Sequence, residues 1–514
     1  MDTAAQAQVD ELAAYFGNAD IVPVITQLPG DLLTPVAAYC ALAGRSQRSF
    51  LFESVEGGEH LARYSFIGSD PEFTVRDTSE GLAVSRKGGT DRKEGSVLEF
   101  LKAALPQKKV APIEGLPSFL GGAVGFLDYA VSRQVEPVLA KNGSGKPGAC
   151  GSEFMFFRHI VAFDHVRQTI NIISLVFADE SADDAAQFRE TIKDALVRNR
   201  TTADRLAAFR ASPGAGPRDS QPDASFRSNF SRNDFEASVG TIKEMISAGE
   251  CYQVVLSQCF SRETSASPIE IYRAIRSVNP SPYMFLVDFG ERAVIGASPE
   301  MLLRCRDRRL EYRPIAGTRP RGKDAEEDAA LAVEMLADEK ELAEHRMLVD
   351  LGRNDLGRVA EFGTVKIDEL MSVEKFSHVQ HIVSAISAKL RADLDGYDAL
   401  AACFPAGTVT GTPKVRAMQI ISDLEPTERG VYSGAVGYFD HQGNIDTCIA
   451  IRTVHLEASI AKIQAGAGIV ADSVPSKEFE ETEHKAAALM RAIELAESGR
   501  FSIGTGSITK EGSA

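Results

Sequence analysis

Short runs in which apolar and polar residues alternate recur through the second half of the chain, and this alternation predicts β-strands. Successive runs are joined by links of only a few residues: 283–289 with 293–297, 302–306 with 310–313, and 434–439 with 445–456. Because a parallel crossover needs about a dozen or more residues, such links permit antiparallel pairing only. The pattern favours an α+β fold with mostly antiparallel sheets over a doubly wound parallel sheet.

Apolar residues recur at three- and four-residue spacing in three further segments, which predicts amphipathic helices. These segments are residues 235–247, 326–351 and 477–497. The last of them is preceded by Pro475 and Ser476, which are typical of a helix start.

One stretch, residues 210–228, is rich in Pro, Gly, Ser and Asp and cannot bury much apolar surface. We therefore predict an N-terminal region, residues 1–228, that ends in this linker. A second region follows over residues 229–497, and residues 498–514 are expected to form a flexible tail.

Composition narrows the class of protein. Apolar residues make up 44% and charged residues 25% of the 514 positions, as in ordinary folded proteins. The net charge of −16 comes from interspersed residues, which argues against a nucleic-acid partner. No apolar run is long enough to cross a bilayer, and the acidic start is unlike a signal peptide, so we predict a cytoplasmic protein. Seven scattered cysteines without a Cys-x-x-Cys pair argue against a disulfide framework or a zinc site.

Two Glu-x-x-Glu pairs lie in predicted helices: Glu341 with Glu344, and Glu478 with Glu481. Residues three apart share a helix face, so each pair presents two carboxylates side by side. An arbitrary pair of this kind usually faces solvent. If the two pairs converge inside the protein, a hard cation or raised pKa values must offset their repulsion. Ligands that are all oxygen suggest magnesium.

The sequence around both pairs carries a family resemblance. Residues 338–355 read DEKELAEHRMLVDLGRND, and residues 475–485 read PSKEFEETEHK. Both blocks resemble the signature blocks of the chorismate-utilising enzymes, and the resemblance covers almost the whole chain. It implies a β-sandwich flanked by helices, in which Glu344 and Glu481 bind Mg²⁺ with Glu341 and Glu478 in support. The metal would hold the ring carboxylate of chorismate.

The same resemblance assigns residues to the substrate. Arg452 matches the residue that grips the enolpyruvyl carboxylate, for which a guanidinium is suited by its bidentate geometry. The further implied substrate residues are Gly317, Thr318, Tyr432, Gly466, Ala467, Gly468 and Lys485. Thr408, in the segment GTVTGTPK, is implied to face the substrate and is counted with the catalytic residues. That segment lacks the spacing of a phosphate loop, so no nucleotide is implied.

A separate glycine cluster, Gly121, Gly122 and Gly125, lacks the acidic residue that would complete a dinucleotide-binding motif. We interpret it as a place of close backbone packing.

Two positions indicate which nucleophile attacks. Relatives that add water carry a lysine where this chain has Gln253, and the aminodeoxychorismate synthases carry a nucleophilic lysine where it has Ala316. Neither an amide nor a methyl group can do that chemistry. The resemblance is therefore closest to the anthranilate synthases, in which ammonia attacks C2 and pyruvate is lost. Aminodeoxychorismate synthase is the rival enzyme.

The resemblance also implies an acid and a base. Glu300, in Gly-Ala-Ser-Pro-Glu, matches the acid that protonates the departing C4 hydroxyl. His381 matches the histidine that takes part in the elimination of pyruvate, while its neighbour His378 is interpreted as a bystander.

No cysteine of this chain lies in the Gly-x-Cys-x-Gly turn of a glutaminase. We therefore expect a separate glutamine amidotransferase subunit, in a heterotetramer of two large and two small subunits.

Two distant elements resemble the tryptophan-binding elements of feedback-inhibited anthranilate synthases. They supply Glu53 and Ser54 in one element and Pro282, Tyr283 and Met284 in the other. Phe52 stands where the pattern usually has leucine. An allosteric site requires that tryptophan bind an inactive state more tightly than the active one. The non-enzymatic alternative is a tryptophan-binding regulatory protein that has lost its activity.

Overall fold

The computed structural model describes residues 3–44, 48–54, 63–140, 146, 150–181, 184–210, 225–376 and 379–499. Most of the predicted linker, residues 211–224, lies outside the described residues, as do His378 and the tail from residue 500 onward.

The described residues form twelve α-helices and twenty-four strands. The helices are α1 (Thr3–Ala13), α2 (Pro35–Ala43), α3 (Val97–Ala104), α4 (Ser132–Val135), α5 (Ala185–Ala208), α6 (Arg232–Ser247), α7 (Pro268–Val278), α8 (Ala325–Ala337), α9 (Glu339–Gly357), α10 (Gly396–Cys403), α11 (Lys414–Leu424) and α12 (Pro475–Ser498). The strands are β1 (Ile21–Pro29), β2 (Ser49–Glu53), β3 (Tyr64–Ser69), β4 (Phe73–Thr78), β5 (Gly81–Arg86), β6 (Gly89–Lys93), β7 (Gly122–Leu127), β8 (Glu153–Phe157), β9 (His159–Asp164), β10 (Thr169–Phe177), β11 (Arg227–Ser228), β12 (Gln253–Glu263), β13 (Tyr283–Asp288), β14 (Arg292–Ser298), β15 (Met301–Arg306), β16 (Arg309–Tyr312), β17 (Ile315–Pro320), β18 (Lys366–Lys375), β19 (Val379–Lys389), β20 (Gly411–Thr412), β21 (Ala435–Asp440), β22 (Ile445–Ile449), β23 (Thr453–Glu457) and β24 (Ile460–Ile469).

The strands form two antiparallel sheets of twelve strands each. The first sheet has the order β1-β10-β9-β3-β2-β13-β14-β23-β24-β12-β11, with β20 paired to β12. The second has the order β17-β19-β16-β15-β22-β21-β7-β8-β4-β5-β6, with β18 paired to β19. Each sheet takes strands from both sides of residue 228, so the division of the chain at that residue stays a prediction.

Four layers result from the burial of apolar side chains. Residues of both sheets, such as Phe50 and Phe285 of the first and Phe126 and Met155 of the second, form one cluster between the sheets. The outer face of the first sheet packs against α2, α7 and α12, and the outer face of the second packs against α3, α9 and α10. The predicted α+β sandwich flanked by helices is confirmed.

The three strand links predicted from the sequence are antiparallel hairpins, as expected. The glycine cluster is also a place of close packing. A side chain on Gly122 would collide with the carbonyl of Phe439 on the neighbouring strand, and one on Gly125 would collide with that of Glu153.

Two expectations were wrong in detail. Residues 326–351 form two helices rather than one, because Asp338 takes an extended conformation and caps α9 by accepting hydrogen bonds from Lys340 and Glu341. Residues 445–456 form two strands in different sheets, β22 in the second and β23 in the first. The chain switches sheets at residues 450–452, where Arg452 has a left-handed φ of 50°.

The neighbouring strand switches sheets at the same place. Between β14 and β15 the chain passes from the first sheet to the second through Pro299 and Glu300. The two crossings are bonded together, since Ile449 N donates to Glu300 O (3.0 Å) and Ala297 N donates to Arg452 O (3.1 Å). This double crossing brings Glu300 and Arg452 to one place between the sheets.

Among the described residues, no helix has the length and apolar character needed to span a membrane. The cytoplasmic location stays a prediction.

Candidate functional site

A cavity of about 340 Å³ lies at the double crossing. Its walls come from β12 and β24 of the first sheet, β17 and β19 of the second, and helices α9 and α12. Among its lining residues are most of those assigned from the sequence: Gln253, Glu300, Ala316, Thr318, Glu344, His381, Thr408, Tyr432, Arg452, Gly466, Gly468, Glu478, Glu481 and Lys485. Segments more than 200 positions apart in the chain therefore meet in one cavity.

Three assigned residues stand outside the lining. Gly317 contributes its carbonyl to His381. The side chain of Ala467 packs in the apolar cluster behind the sheet. Glu341 is turned toward Arg319, with an Oε1–Nη1 distance of 3.3 Å.

Glu300 has the features of a general acid. Its side chain is only 6% exposed, and its Oε1 has no hydrogen-bond partner among the described residues. Burial raises the pKa of its carboxyl to about 8, although the nearby hydroxyl of Thr408 lowers it in part. Glu300 is therefore mostly protonated at neutral pH and can give up its proton to a bound group. The buried hydroxyl of Thr408 also lacks a partner in the described part of the chain.

His381 has the features of a base. Its Nδ1 lies 2.8 Å from the carbonyl oxygen of Gly317, an acceptor, so Nδ1 carries the proton and Nε2 carries the lone pair. The hydroxyl of Thr318 lies 3.1 Å from the same nitrogen. Burial lowers the pKa of His381, and the charge of Arg452 adds to this, while the bond to Gly317 opposes it. A neutral imidazole with a free Nε2 is the state that can accept a proton.

Arg452 is available for an anion. It lines the cavity, and no carboxylate among the described residues forms an ion pair with it. Its Nη1 donates a long hydrogen bond of 3.4 Å to the carbonyl of Lys485. Burial lowers its pKa, with only Tyr432 acting in the other direction. A partly buried guanidinium without a counter-ion is costly unless a ligand supplies the negative charge.

Two glycines make room for functional side chains. A Cβ on Gly466 would lie 2.8 Å from the hydroxyl oxygen of Tyr432, and one on Gly468 would lie 2.5 Å from Nε2 of Gln253. Both distances are too short for a real side chain. A larger residue at either position would therefore displace Tyr432 or Gln253 from its place against the strand β24.

Glu344 of α9 and Glu478 and Glu481 of α12 line the same cavity, while Glu341 lies outside its lining. Partial desolvation raises the pKa of Glu344, and the negative charges of Glu341 and Glu481 raise it further. The pKa of Glu478 is also raised, first by burial and then by Glu481, while a hydrogen bond with Ser473 lowers it. Glu481 pairs with Lys485 at 2.7 Å. A hard divalent cation bound among these carboxylates would relieve the repulsion between their negative charges.

In the described ranges, acidic, histidine and cysteine side chains do not form any group of three or more that could hold a metal ion. The carboxylate oxygens of these glutamates are the kind of ligand that magnesium prefers. Two of the four carboxylates form ion pairs in this structure, Glu481 with Lys485 and Glu341 with Arg319.

Several supporting residues were missed from the sequence. Arg429 and Glu425 form a buried bidentate pair, with N–O distances of 2.9 and 2.7 Å. Arg429 also donates to the carbonyls of Val409 and Val255 and to the hydroxyl of Ser433. One ion pair thus holds three segments that carry cavity residues.

Two further links tie helices to the site. His345, which is fully buried and follows Glu344, shares a 2.6 Å hydrogen bond with Ser384 on the strand of His381. Lys414 forms a 2.8 Å ion pair with Asp355 near the end of α9. His345 and Asp355 could have been noticed in the sequence by their places in the block of residues 338–355, and Lys414 by its place in the segment GTVTGTPK, whereas no sequence signal pointed to Ser384.

A second cavity, of about 280 Å³, contains all five residues assigned to an inhibitor: Glu53, Ser54, Pro282, Tyr283 and Met284. The two elements that supply them are neighbours in the first sheet, because β2 pairs with β13 and Glu53 stands opposite Met284. Residues more than 200 positions apart in the sequence are therefore adjacent in the fold.

The second cavity combines aromatic walls with charges of both signs. Phe52, Tyr64, Phe66 and Tyr438 are among its aromatic residues. From the second sheet come Arg304 and Arg306 with Asp446, all missed from the sequence. Arg304 Nε donates to Asp446 Oδ2 at 2.8 Å, and Tyr283 donates to Asp446 Oδ1 at 3.2 Å. Glu53 accepts from Tyr272 at 2.5 Å. Such a lining suits an aromatic amino acid, which has a ring and both charges.

Comparison with known proteins gives consistent results. A sequence profile of the chorismate binding enzymes matches residues 47–491. The anthranilate synthase component 1 of Acetivibrio thermocellus is 42% identical over 497 residues, which are 95% of this chain and 98% of that protein. The protein of the same name from Pseudomonas putida is 44% identical over 480 residues, 93% of this chain and 96% of that protein. The crystal structure of anthranilate synthase component I from Streptococcus pneumoniae TIGR4 superposes with a TM-score of 0.70 at 35% identity, covering 90% of this chain and 99% of that one.

Proposed function

This chain belongs to the chorismate-binding enzyme family, and on that premise we propose that it acts as the large subunit of an anthranilate synthase. It converts chorismate and ammonia to anthranilate, pyruvate and water, the first committed step of tryptophan biosynthesis. The observation that carries the proposal is the cavity that joins a buried, protonated Glu300, a neutral His381 and an unpaired Arg452.

Binding uses the two charged ends of the cavity. Arg452 takes the enolpyruvyl carboxylate of chorismate, which supplies its missing counter-ion. At the other end, Glu344 and Glu481 would hold Mg²⁺ with Glu341 and Glu478 in support, once Lys485 and Arg319 release them. The metal would neutralise the ring carboxylate and draw charge from the ring.

In the first step, ammonia attacks C2 and the C4 hydroxyl leaves as water. Glu300 donates the proton that makes this hydroxyl a better leaving group, and its raised pKa keeps that proton available at neutral pH. The double bonds of the ring shift as the new C–N bond forms and the C4–O bond breaks.

In the second step, His381 removes the proton from C2 through Nε2. The electron pair completes the aromatic ring as the C3–O bond breaks, and the departing enolpyruvate takes up a proton to become pyruvate. The bond from Nδ1 to Gly317 holds the imidazole in the required tautomer.

Ala316 and Gln253 support ammonia as the nucleophile. Both lie in the cavity wall, and neither side chain can attack the ring or activate water. This disfavours aminodeoxychorismate synthase, the rival activity.

The partner and the regulation follow from the same assignment. A glutaminase subunit would deliver the ammonia, in a heterotetramer with two copies of this chain. Tryptophan would occupy the second cavity and inhibit the enzyme, with its ring between the aromatic walls and its charged groups near Arg304, Arg306 and Asp446.

One assay tests the proposal directly. The purified chain is mixed with chorismate, Mg²⁺ and an ammonium salt at alkaline pH, and the fluorescence of anthranilate is followed. We expect turnover that needs all three additions and is inhibited by tryptophan. Formation of aminodeoxychorismate instead would favour the rival enzyme, and tryptophan binding without any product would favour the inactive regulatory protein.

A further inference from the structure

One lysine stands among the carboxylates assigned to magnesium. Lys485 follows Glu481 by one turn of α12, and both side chains line the cavity of about 340 Å³. Its Nζ lies 2.7 Å from Oε1 of Glu481 and donates a 3.0 Å hydrogen bond to the carbonyl of Gly466 on β24. An ammonium has three donors, and the third has no partner among the described residues. The ammonium is therefore fixed at the cavity wall with one donor to spare.

The other two glutamates of the cavity lining that are assigned to the metal site depend on charges at a distance. Glu344 and Glu478 form no ion pair within the described ranges. Burial raises the pKa of both carboxyls, and the charges of Lys340 and Lys485 act in the opposite direction. Lys340 also lines the cavity, but it forms no ion pair in the described part of the chain. Of these two lysines, only Lys485 contacts a proposed metal ligand directly.

Lys485 has fewer partners than Arg319, the cation that pairs with Glu341. Arg319 pairs with three carboxylates at 3.1 to 3.3 Å, so it keeps two of them if Glu341 leaves. Lys485 pairs with one carboxylate only. An ammonium that leaves Glu481 therefore needs another anion.

The pair of Lys485 and Glu481 is also weak enough to exchange. The two side chains are 39% and 46% exposed, and ion pairs with this exposure contribute little to stability. A metal ion bound to Glu481 would stand beside the ammonium, and the repulsion between the positive charges opposes the binding of both at once. The ion pair of this structure and metal binding at Glu481 therefore compete.

We propose that Lys485 is a resident cation of the magnesium site, which holds Glu481 until Mg²⁺ displaces it and then pairs with the ring carboxylate of chorismate. The inference rests on the proposed function, because it takes these glutamates as the metal site. The ring carboxylate is the anion that the displaced ammonium lacks, and the carbonyl of Gly466 keeps Nζ at the cavity wall during the exchange. Loss of Lys485 should therefore have opposite effects on the two ligands: Mg²⁺ binds more tightly and chorismate more weakly.

Substitution of the lysine separates this exchange from a general effect of charge. Lys485→Met removes the ammonium and keeps a side chain of similar length, and Lys485→Arg keeps the positive charge. Lys340→Met is the matched control, since it removes the same charge from the same cavity without breaking an ion pair. Calorimetric titration of the full-length chain with Mg²⁺ alone gives the Kd, and steady-state rates at saturating Mg²⁺ give the KM for chorismate. Thermal unfolding confirms that each variant is folded.

We expect Lys485→Met to lower the Kd for Mg²⁺ at least about fivefold, and Lys340→Met to lower it about twofold or less. Lys485→Arg should stay near wild type. In Lys485→Met the KM for chorismate should rise at least about fivefold. A merely structural role of Lys485 would weaken the binding of both ligands.

Two results would overturn the exchange. One is a Kd for Mg²⁺ in folded Lys485→Met that is no lower than in Lys340→Met, and this includes the case in which no form of the chain binds Mg²⁺. The other is a KM for chorismate in Lys485→Met that stays within about twofold of wild type. An inactive wild-type chain whose Mg²⁺ affinities follow the expected order would instead refute the proposed function, while the competition at Glu481 stands.

Discussion

The cavity of about 340 Å³, proposed as the catalytic cavity, and the cavity of about 280 Å³, proposed as the inhibitor cavity, lie between the same two sheets, but their polar groups differ in whether they have partners. In the catalytic cavity, Glu300 Oε1 and the Thr408 hydroxyl have no partner within the described ranges, and no carboxylate there pairs with Arg452. In the inhibitor cavity, Arg304, Tyr283 and Asp446 bond to one another. The first cavity therefore depends on its ligand to satisfy buried groups, while the second is complete without one.

This difference separates the effects expected from mutation. A group left unsatisfied in the free protein is stabilised only when substrate or transition state supplies its partner, so its loss reduces the rate. A group already bonded within the protein mainly shapes a surface, so a change there alters affinity for the inhibitor.

The two cavities are nevertheless close neighbours in the sheet. Tyr283 of the inhibitor cavity stands opposite Ser298 in the β13–β14 ladder, and the hydroxyl of Ser298 accepts a 3.3 Å hydrogen bond from the backbone of Glu300. Cys448, also in the inhibitor cavity, stands opposite Met301. A shift of β13 on inhibitor binding would thus reach the acid through one cross-strand pair.

The largest effect should come from Glu300, the proposed acid of the catalytic cavity. Glu300→Gln keeps the size of the side chain but removes the proton, so kcat should fall about 10²–10⁴-fold. The KM for chorismate and the affinity for tryptophan should stay near wild type. Steady-state rates and calorimetric titration of tryptophan measure these quantities.

Glu291→Gln, at an exposed residue in the turn between β13 and β14, serves as the control and should be fully active. If Glu300→Gln retained more than about a tenth of the rate, another group would have to be the acid.

A second large effect concerns the glutamates. Glu481→Gln removes one charge from the oxygen ligands, and we expect the Mg²⁺-dependent rate to fall by about 10²-fold. The rate is measured over a range of Mg²⁺ concentrations, with Glu483→Gln on the exposed face of the same helix as the control. Wild-type Mg²⁺ dependence in Glu481→Gln would remove this residue from the metal site.

The inhibitor cavity should respond in the opposite sense. Ser54→Phe places a large side chain at its edge, so the concentration of tryptophan needed for half inhibition should rise more than about tenfold. The uninhibited rate should not change, because Ser54 lines only the inhibitor cavity. Thr90→Phe, on an exposed edge strand, is the matched control. Equal losses of rate and inhibition in Ser54→Phe would mean that the two cavities do not act separately.

The sequence predicted the fold class and many of the residues that line both cavities. It predicted few of the ion pairs and hydrogen bonds that hold those residues in place. Glu300, His381, Arg452 and the glutamates stand in recognisable blocks, and the short links required antiparallel strands. The break at Asp338 was also detectable, because an Asp followed three residues later by Glu341 is a helix-start signature.

The sheet crossings and the buried ion pairs could not be predicted in this way. Residues 445–456 form one run in which apolar residues are interspersed with polar ones, and such a run does not show which sheet each part of it joins. Arg304 and Asp446 look like solvated charges until tertiary structure pairs them, because they lie on segments whose approach only the folded topology determines. Glu425 and Arg429 stand four residues apart, so the sequence could suggest their pairing but not its burial.

The smallest effect in this series is the pH dependence of the catalytic cavity. Glu300, the proposed acid, can act only while protonated, so the rate should fall as pH rises through its pKa of about 8. His381, the proposed base, can act only while neutral, and its lowered pKa places the fall in rate at acidic pH below the usual range of histidine. At a constant concentration of free ammonia, kcat/KM for chorismate should therefore drop about tenfold between about pH 7 and pH 9. Holding free ammonia constant is essential, because its share of total ammonium rises with pH and would mask the fall in rate at alkaline pH, the basic limb of the profile.

Any activity that remains in Glu300→Gln should lack this basic limb, since the group that titrates is gone. A basic limb that persisted unchanged in that variant would assign the titration to another residue and leave the raised pKa of Glu300 without a catalytic consequence.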